Sequence, residues 1–100
     1  MPRSLRKLAQ GQPCFCRIEG VCNFDSSTTV LAHIRRANIA GIGQKPPDTC
    51  AIFACSNCHD VIDGRVQSLF KPEEIDSFIL EALLRQLAFY DKYEIVRVIL

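Results

Sequence analysis

No stretch of this 100-residue chain approaches the roughly 20 consecutive apolar residues a helix needs to cross a bilayer. A helix-spanning membrane protein is therefore excluded. The N-terminus, Met1-Pro2-Arg3-Ser4-Leu5-Arg6-Lys7, is basic but leads into no apolar run, so no secretory signal peptide is expected. Internal repeats and low-complexity tracts are also missing. Neither sign of charge dominates: the formal net charge is +1, with 48% hydrophobic and 23% charged residues, the balance of one soluble globular domain with a modest core. Histidine is scarce, with only His33 and His59.

Cysteine is abundant. Six in 100 residues would suggest disulfides in a secreted mini-protein; without an export signal the same usage points to metal ligation in a reducing, intracellular compartment. The near-neutral charge also hides an asymmetry. Residues 1–36 carry six basic side chains against two acidic ones, whereas residues 67–100 carry four against six. A basic front third is compatible with a phosphate-facing surface, although an ordinary solvated face has the same composition.

Ser4 can cap a short helix through about Gln10, which Gly11-Gln12-Pro13 ends. Cys14 to Cys22, with Gly20 near its end, reads as a strand and tight turn that return Cys22 to Cys14. The β-forming run Thr28 to Ile34 would pair with it as a hairpin. Arg35 to Asp48 holds two glycines and two prolines and reads as a loop. Ala51-Ile52-Phe53-Ala54 then leads into Cys55-Ser56-Asn57-Cys58-His59, where Ser56 can cap a helix to about Asp63, stopped by Gly64. Pro72 at a first helical position, acids at 73 and 74, and the spacing Ile75, Phe78, Ile79, Leu83, Leu87 predict a long helix packed on the hairpin. The tail from Tyr93 to Leu100 reads as a short strand or a helix extension.

Structural zinc takes four thiolates or imidazoles in a tetrahedron, usually as two short-range pairs. Cys55-x-x-Cys58 is one pair; Cys22 with either Cys14 or Cys16 is the other, and Cys50 is left as a core residue. In a helix from Ser56, residues 59 and 63 lie about 40° apart, so His59 and Asp63 can present an imidazole and a carboxylate to one divalent cation, while Asp60 points elsewhere. His33, at the end of a β-forming run beside Arg35 and Arg36, has the side-chain chemistry of a base that deprotonates water. A cation on the helix would polarise a phosphate, and Arg35 or Arg36 could hold a backbone phosphate bidentately.

Cysteine pair, hairpin ending in histidine, loop, Cys-x-x-Cys-His, helix: this order resembles the HNH, or ββα-metal, endonucleases that carry a zinc knuckle, and more closely small phage and prophage nucleases such as YbcO. The resemblance rests on Cys14 to Cys22 with Gly20-Val21-Cys22-Asn23, on Leu31-Ala32-His33-Ile34-Arg35 and on Lys45-Pro46-Pro47-Asp48. Ala54-Cys55-Ser56 through Cys58-His59-Asp60, with Ile62-Asp63, completes it, and together these cover roughly residues 5 to 65. It implies a single α+β domain over 1–100. A small HNH-like core with a zinc knuckle (about 11–66) would be flanked by a short N-terminal helix and a long C-terminal helix (about 72–92).

The resemblance further implies a metal-dependent DNA endonuclease in the cytoplasm of a bacterial host. By position, His33 would be the general base and His59 a ligand of a catalytic Mg²⁺, Mn²⁺ or Zn²⁺; the helical reading adds Asp63 as its companion ligand. Cys14, Cys22, Cys55 and Cys58 would hold structural zinc, Cys14 being preferred over Cys16 by the family's Cys-x7-Cys spacing. Arg35, Arg36 and Lys45 would contact nucleic acid. Two positions depart from the HNH pattern. Ala32 stands where many of those enzymes place a metal ligand, and Cys50 falls near the motif's asparagine. Asp48 is a candidate catalytic residue that could replace one of these, and Asp63 the missing ligand. The alternative is a non-catalytic zinc module that binds nucleic acid or a phage recombination or replication protein.

Overall fold

Two short apolar stretches rich in β-forming residues make the centre of the fold. In the computed structural model, which describes residues 4–36, 41 and 44–95, Val30–His33 (β1) pairs antiparallel with Ala51–Ala54 (β2). The register is Val30↔Ala54, Leu31↔Phe53, Ala32↔Ile52 and His33↔Ala51. β2 is buried along its whole length, as its unbroken run of apolar residues requires, whereas β1 leaves Val30 at the surface.

The hairpin expected between residues 14–22 and β1 does not form; β2 takes that place. Arg17 has φ 50° and Gly20 φ 74°, both in the left-handed region that breaks a strand. The segment is a loop closed by a turn in which the Ile18 carbonyl accepts from the Val21 and Cys22 amides at 3.0 and 2.9 Å. It runs along the outer edge of β2, where the Phe15 N–H donates to the Phe53 carbonyl at 2.8 Å.

Among the described residues three α-helices surround the pair. Leu5–Ala9 (α1) is capped by Ser4, whose hydroxyl accepts from the Lys7 amide, and packs on β1. Ser56–Ile62 (α2) contacts both strands. Its cap is Cys55 rather than Ser56: the Cys55 sulfur accepts from the Cys58 amide at 3.4 Å. Ser56 is the first helical residue, and its hydroxyl accepts from the Asn23 amide group. Gly64, at φ 74°, ends the helix where a left-handed residue is needed.

Pro72–Lys92 (α3) starts with proline, and the Glu74 carboxylate accepts from the Lys71 amide. Its buried residues are Ile75, Ile79, Ala82, Gln86 and Tyr90, so the face is rotated from the one predicted, and Leu87 is exposed. Gln86 is the reason. Its Oε1 accepts from the Phe53 amide at 2.6 Å, and its Nε2 donates to the Ala51 carbonyl at 2.8 Å. With Phe15, this side chain satisfies the free edge of β2, which would otherwise bury unpaired backbone groups. Phe15, Phe53 and Phe89 close the core there, with ring centroids 5.6 to 5.8 Å apart. Of the C-terminal tail, residues 96–100 lie outside the described part. Cys50 is half-buried in the loop before β2 instead of in the core.

Candidate functional site

The turn at Gly20, the edge loop and the start of α2 converge on one cluster. The sulfurs of Cys14, Cys22, Cys55 and Cys58 all lie within 4.8 Å of one another, with Cys55 and Cys22 at 3.9 Å. Four sulfurs at about 2.3 Å from a tetrahedral zinc are roughly 3.8 Å apart, so the cluster has the dimensions of a four-thiolate metal site. A disulfide needs about 2.05 Å and is not formed. This group could hold a metal ion, and Cys16 is not among its members.

The electrostatics fit the same use. A hydrogen bond with Cys58 and burial push the Cys14 thiol up to about 12, and burial pushes Cys22 up to about 11. The hydrogen bond with Cys14 lowers Cys58, but that with Cys16, together with burial, outweighs it. Cys14, Cys22 and Cys58 thus resist ionising alone; a divalent cation removes that cost because thiolate is the ligating form.

Beside this cluster lies a cleft of about 340 Å³ that brings the two histidines to a common surface. His33, at the end of β1, reaches into it, and its Nε2 lies 2.8 Å from Asp48 Oδ1. The hydrogen bond from His33, then the Arg6 guanidinium at 3.5 Å, hold the Asp48 carboxyl below its ordinary value of 3.8. An ionised carboxylate only accepts, so Nε2 is the donor in this contact.

His59 and Asp63 enter from α2. One helical turn apart, their Nε2 and Oδ2 are 3.0 Å from each other. Among the described residues only the four cysteines form a group of three or more donors close enough to hold a metal, so α2 supplies a pair. Asp63 Oδ2 also meets the Arg65 guanidinium at 3.2 Å.

The basic residues divide. Arg35 and Lys45 line the cleft, with the Arg35 guanidinium donating to the Gln44 carbonyl at 3.0 Å. Arg36 meets Asp76 of α3 at 3.1 Å and lines an adjoining cavity with His33, Arg35 and Asp63. Arg6 and Arg65 also line the cleft and were not singled out from the sequence. Arg65 was within reach of sequence reasoning, since a glycine stop at 64 folds the next residue back over its own helix. Arg6 was not, because only packing of α1 on β1 brings it near Asp48.

Comparison with known proteins gives a consistent picture. The chain is 57% identical over 61 residues to the "Putative nuclease YbcO" of Escherichia coli (strain K12). It is equally similar to the corresponding protein of Enterobacteria phage 82. Each match spans 61% of this chain and 64% of the relative's length. A solved structure described as that "of a putative bacteriophage protein from Escherichia coli str. K-12 substr. MG1655" superposes with a TM-score of 0.75 at 38% identity. That match covers 91% of this chain and all of the other. The family model described as "Putative nuclease YbcO" matches residues 3–94, nearly the whole chain, and the chain therefore belongs to the YbcO family.

Proposed function

We propose that this chain is a metal-dependent DNA endonuclease of the HNH type, with zinc in the four-cysteine cluster as its scaffold. The names of the curated relatives support a nuclease. The observation that carries the mechanism is the 2.8 Å contact of Asp48 with His33, a histidine that lines a cleft together with His59 and Asp63. Asp48 fixes the imidazole so that Nδ1 can take a proton from an attacking water. Asp63 offers the oxygen donor that Mg²⁺ or Mn²⁺ prefers and His59 the borderline imidazole that suits Zn²⁺ or other transition metals, the remaining positions falling to water and phosphate oxygens. Such a cation would stabilise charge on the phosphate and the leaving oxygen. Arg35 and Lys45 face the same cleft and suit the flanking phosphates.

The cysteine cluster supports this arrangement mechanically. Cys55 caps α2 and Cys58 lies on it, so a metal there fixes the helix that carries His59 and Asp63. Plasmid cleavage by the purified protein across Mg²⁺, Mn²⁺ and Zn²⁺, beside His33→Ala, tests the reading. The variant is expected to lose about 10²- to 10⁴-fold in rate, the contribution of a positioned base. Cleavage that persists undiminished in the variant would remove His33 from the chemistry.

One observation favours the second reading, a binding module without catalysis. Asp63, the acid needed for the cation, is already paired with Arg65 at 3.2 Å. That reading predicts tight binding to DNA or to a recombination or replication protein, with no cleavage under any metal.

A further inference from the structure

Arg65 is placed by the end of α2. Gly64 turns the chain back at φ 74°, and the Arg65 amide donates to the Asp60 carbonyl at 2.9 Å. The guanidinium thereby lies over its own helix, 3.2 Å from Asp63 Oδ2 and 3.4 Å from Asp60 Oδ1. Asp63 Oδ2 is the same oxygen that meets His59. One carboxylate oxygen thus serves both the histidine and the arginine.

This ion pair does little for the fold. Both acids lie within five residues of Arg65, so the contact ties no distant elements together, unlike Arg36–Asp76, which spans 40 residues from the loop after β1 to α3. The Arg65 side chain is 61% exposed and lines the cleft that holds His33. A cation that is exposed, in the cleft and seated on the carboxylate of the proposed metal-binding pair competes with any divalent ion for that carboxylate.

We propose that Arg65 is a cationic gate on this site. It neutralises Asp63 while no divalent cation is present, and once displaced it becomes a ligand for a backbone phosphate of the nucleic acid. Metal and nucleic-acid binding are then coupled through one side chain, because each draws Arg65 away from, or releases it to, the other. The inference rests on the proposed cation at His59 and Asp63. It adds that Arg65 sets both the affinity of that cation and its cooperation with DNA.

The test is Mn²⁺ titration by calorimetry into the purified full chain, its cysteine site metal-loaded, as wild type, Arg65→Gln, Arg65→Lys and Asp63→Asn. Arg65→Gln is expected to bind Mn²⁺ about two- to fivefold more tightly than wild type, the range set by a surface ion pair. Arg65→Lys, which keeps the charge, is expected to stay near wild type, and Asp63→Asn to lose binding. In a His33→Ala background, which prevents cleavage, Mn²⁺ should raise affinity for a DNA duplex more with Arg65 than with glutamine there. Equal Mn²⁺ affinity of wild type and Arg65→Gln, with binding lost in Asp63→Asn, overturns the gate but keeps the cation site. An equal Mn²⁺ effect on DNA affinity in both overturns the phosphate role. Mn²⁺ binding that is absent, or indifferent to Asp63→Asn, overturns the cation site and the gate together.

Discussion

His33 Nε2 lies 2.8 Å from Asp48 Oδ1, joining the end of β1 to a loop residue 15 positions away. Asp48→Asn presents an amide in place of the accepting carboxylate and releases the tautomer that leaves Nδ1 basic. The expected result is a fall in cleavage rate of about 10- to 100-fold, a part of what a positioned base supplies, with KM little changed. Steady-state kinetics on a defined duplex decides it; an equal loss through KM alone would assign Asp48 to substrate binding.

The same contact makes a pH prediction. Because His33 and Arg6 hold the folded Asp48 carboxyl below 3.8, its contribution to stability is complete above that value. It is lost as pH falls through the lower folded value. Melting curves of wild type and Asp48→Asn should therefore differ at pH 5 and converge in stronger acid. Loss of metal in acid affects both proteins alike and cancels in the difference. A gap that widens as pH falls would contradict the assignment.

Cys14 and Cys16 separate cleanly. Cys14→Ser removes one of the four clustered sulfurs, whereas Cys16→Ser leaves all four. About one zinc per chain is expected by atomic emission in wild type and Cys16→Ser, with loss of zinc and of cooperative unfolding in Cys14→Ser and Cys58→Ser. Retention of zinc by Cys14→Ser but not by Cys16→Ser would move the ligand assignment to Cys16.

Gln86→Leu keeps an apolar volume on α3 but strands the Phe53 N–H and the Ala51 carbonyl at the edge of β2. A buried unsatisfied backbone group costs about 1–3 kcal/mol. At roughly 4–8 °C per kcal/mol for a domain of this size, thermal unfolding should fall by at least several degrees. An unchanged midpoint would show that water or a rearranged edge satisfies these groups.

Local chemistry made much of the chain readable. The Ser4 cap, the proline start of α3 and the glycine stop at 64 are set by nearest neighbours in sequence, and each sits within a residue or so of where the pattern puts it. The contact between His59 and Asp63 follows from helical periodicity alone. The strand partner of β1 did not, because pairing depends on which segment is free of left-handed residues and covered on both faces. Positive φ at Arg17 removed residues 14–22 from contention.

What the sequence determined by itself was the family, the count of thiols and the helix that presents His59 and Asp63, since all of these are short-range in the chain. Tertiary structure alone decided that Asp48 meets His33, that Gln86 seals the sheet edge, and that Arg6 reaches the cleft. Those relationships join residues 15 positions apart for His33 and Asp48, 33 for Phe53 and Gln86 and 42 for Arg6 and Asp48, and no local propensity encodes the distance between them. The arginine on Asp63 belongs to both: a glycine turn placed it, and the cleft gave it something to do.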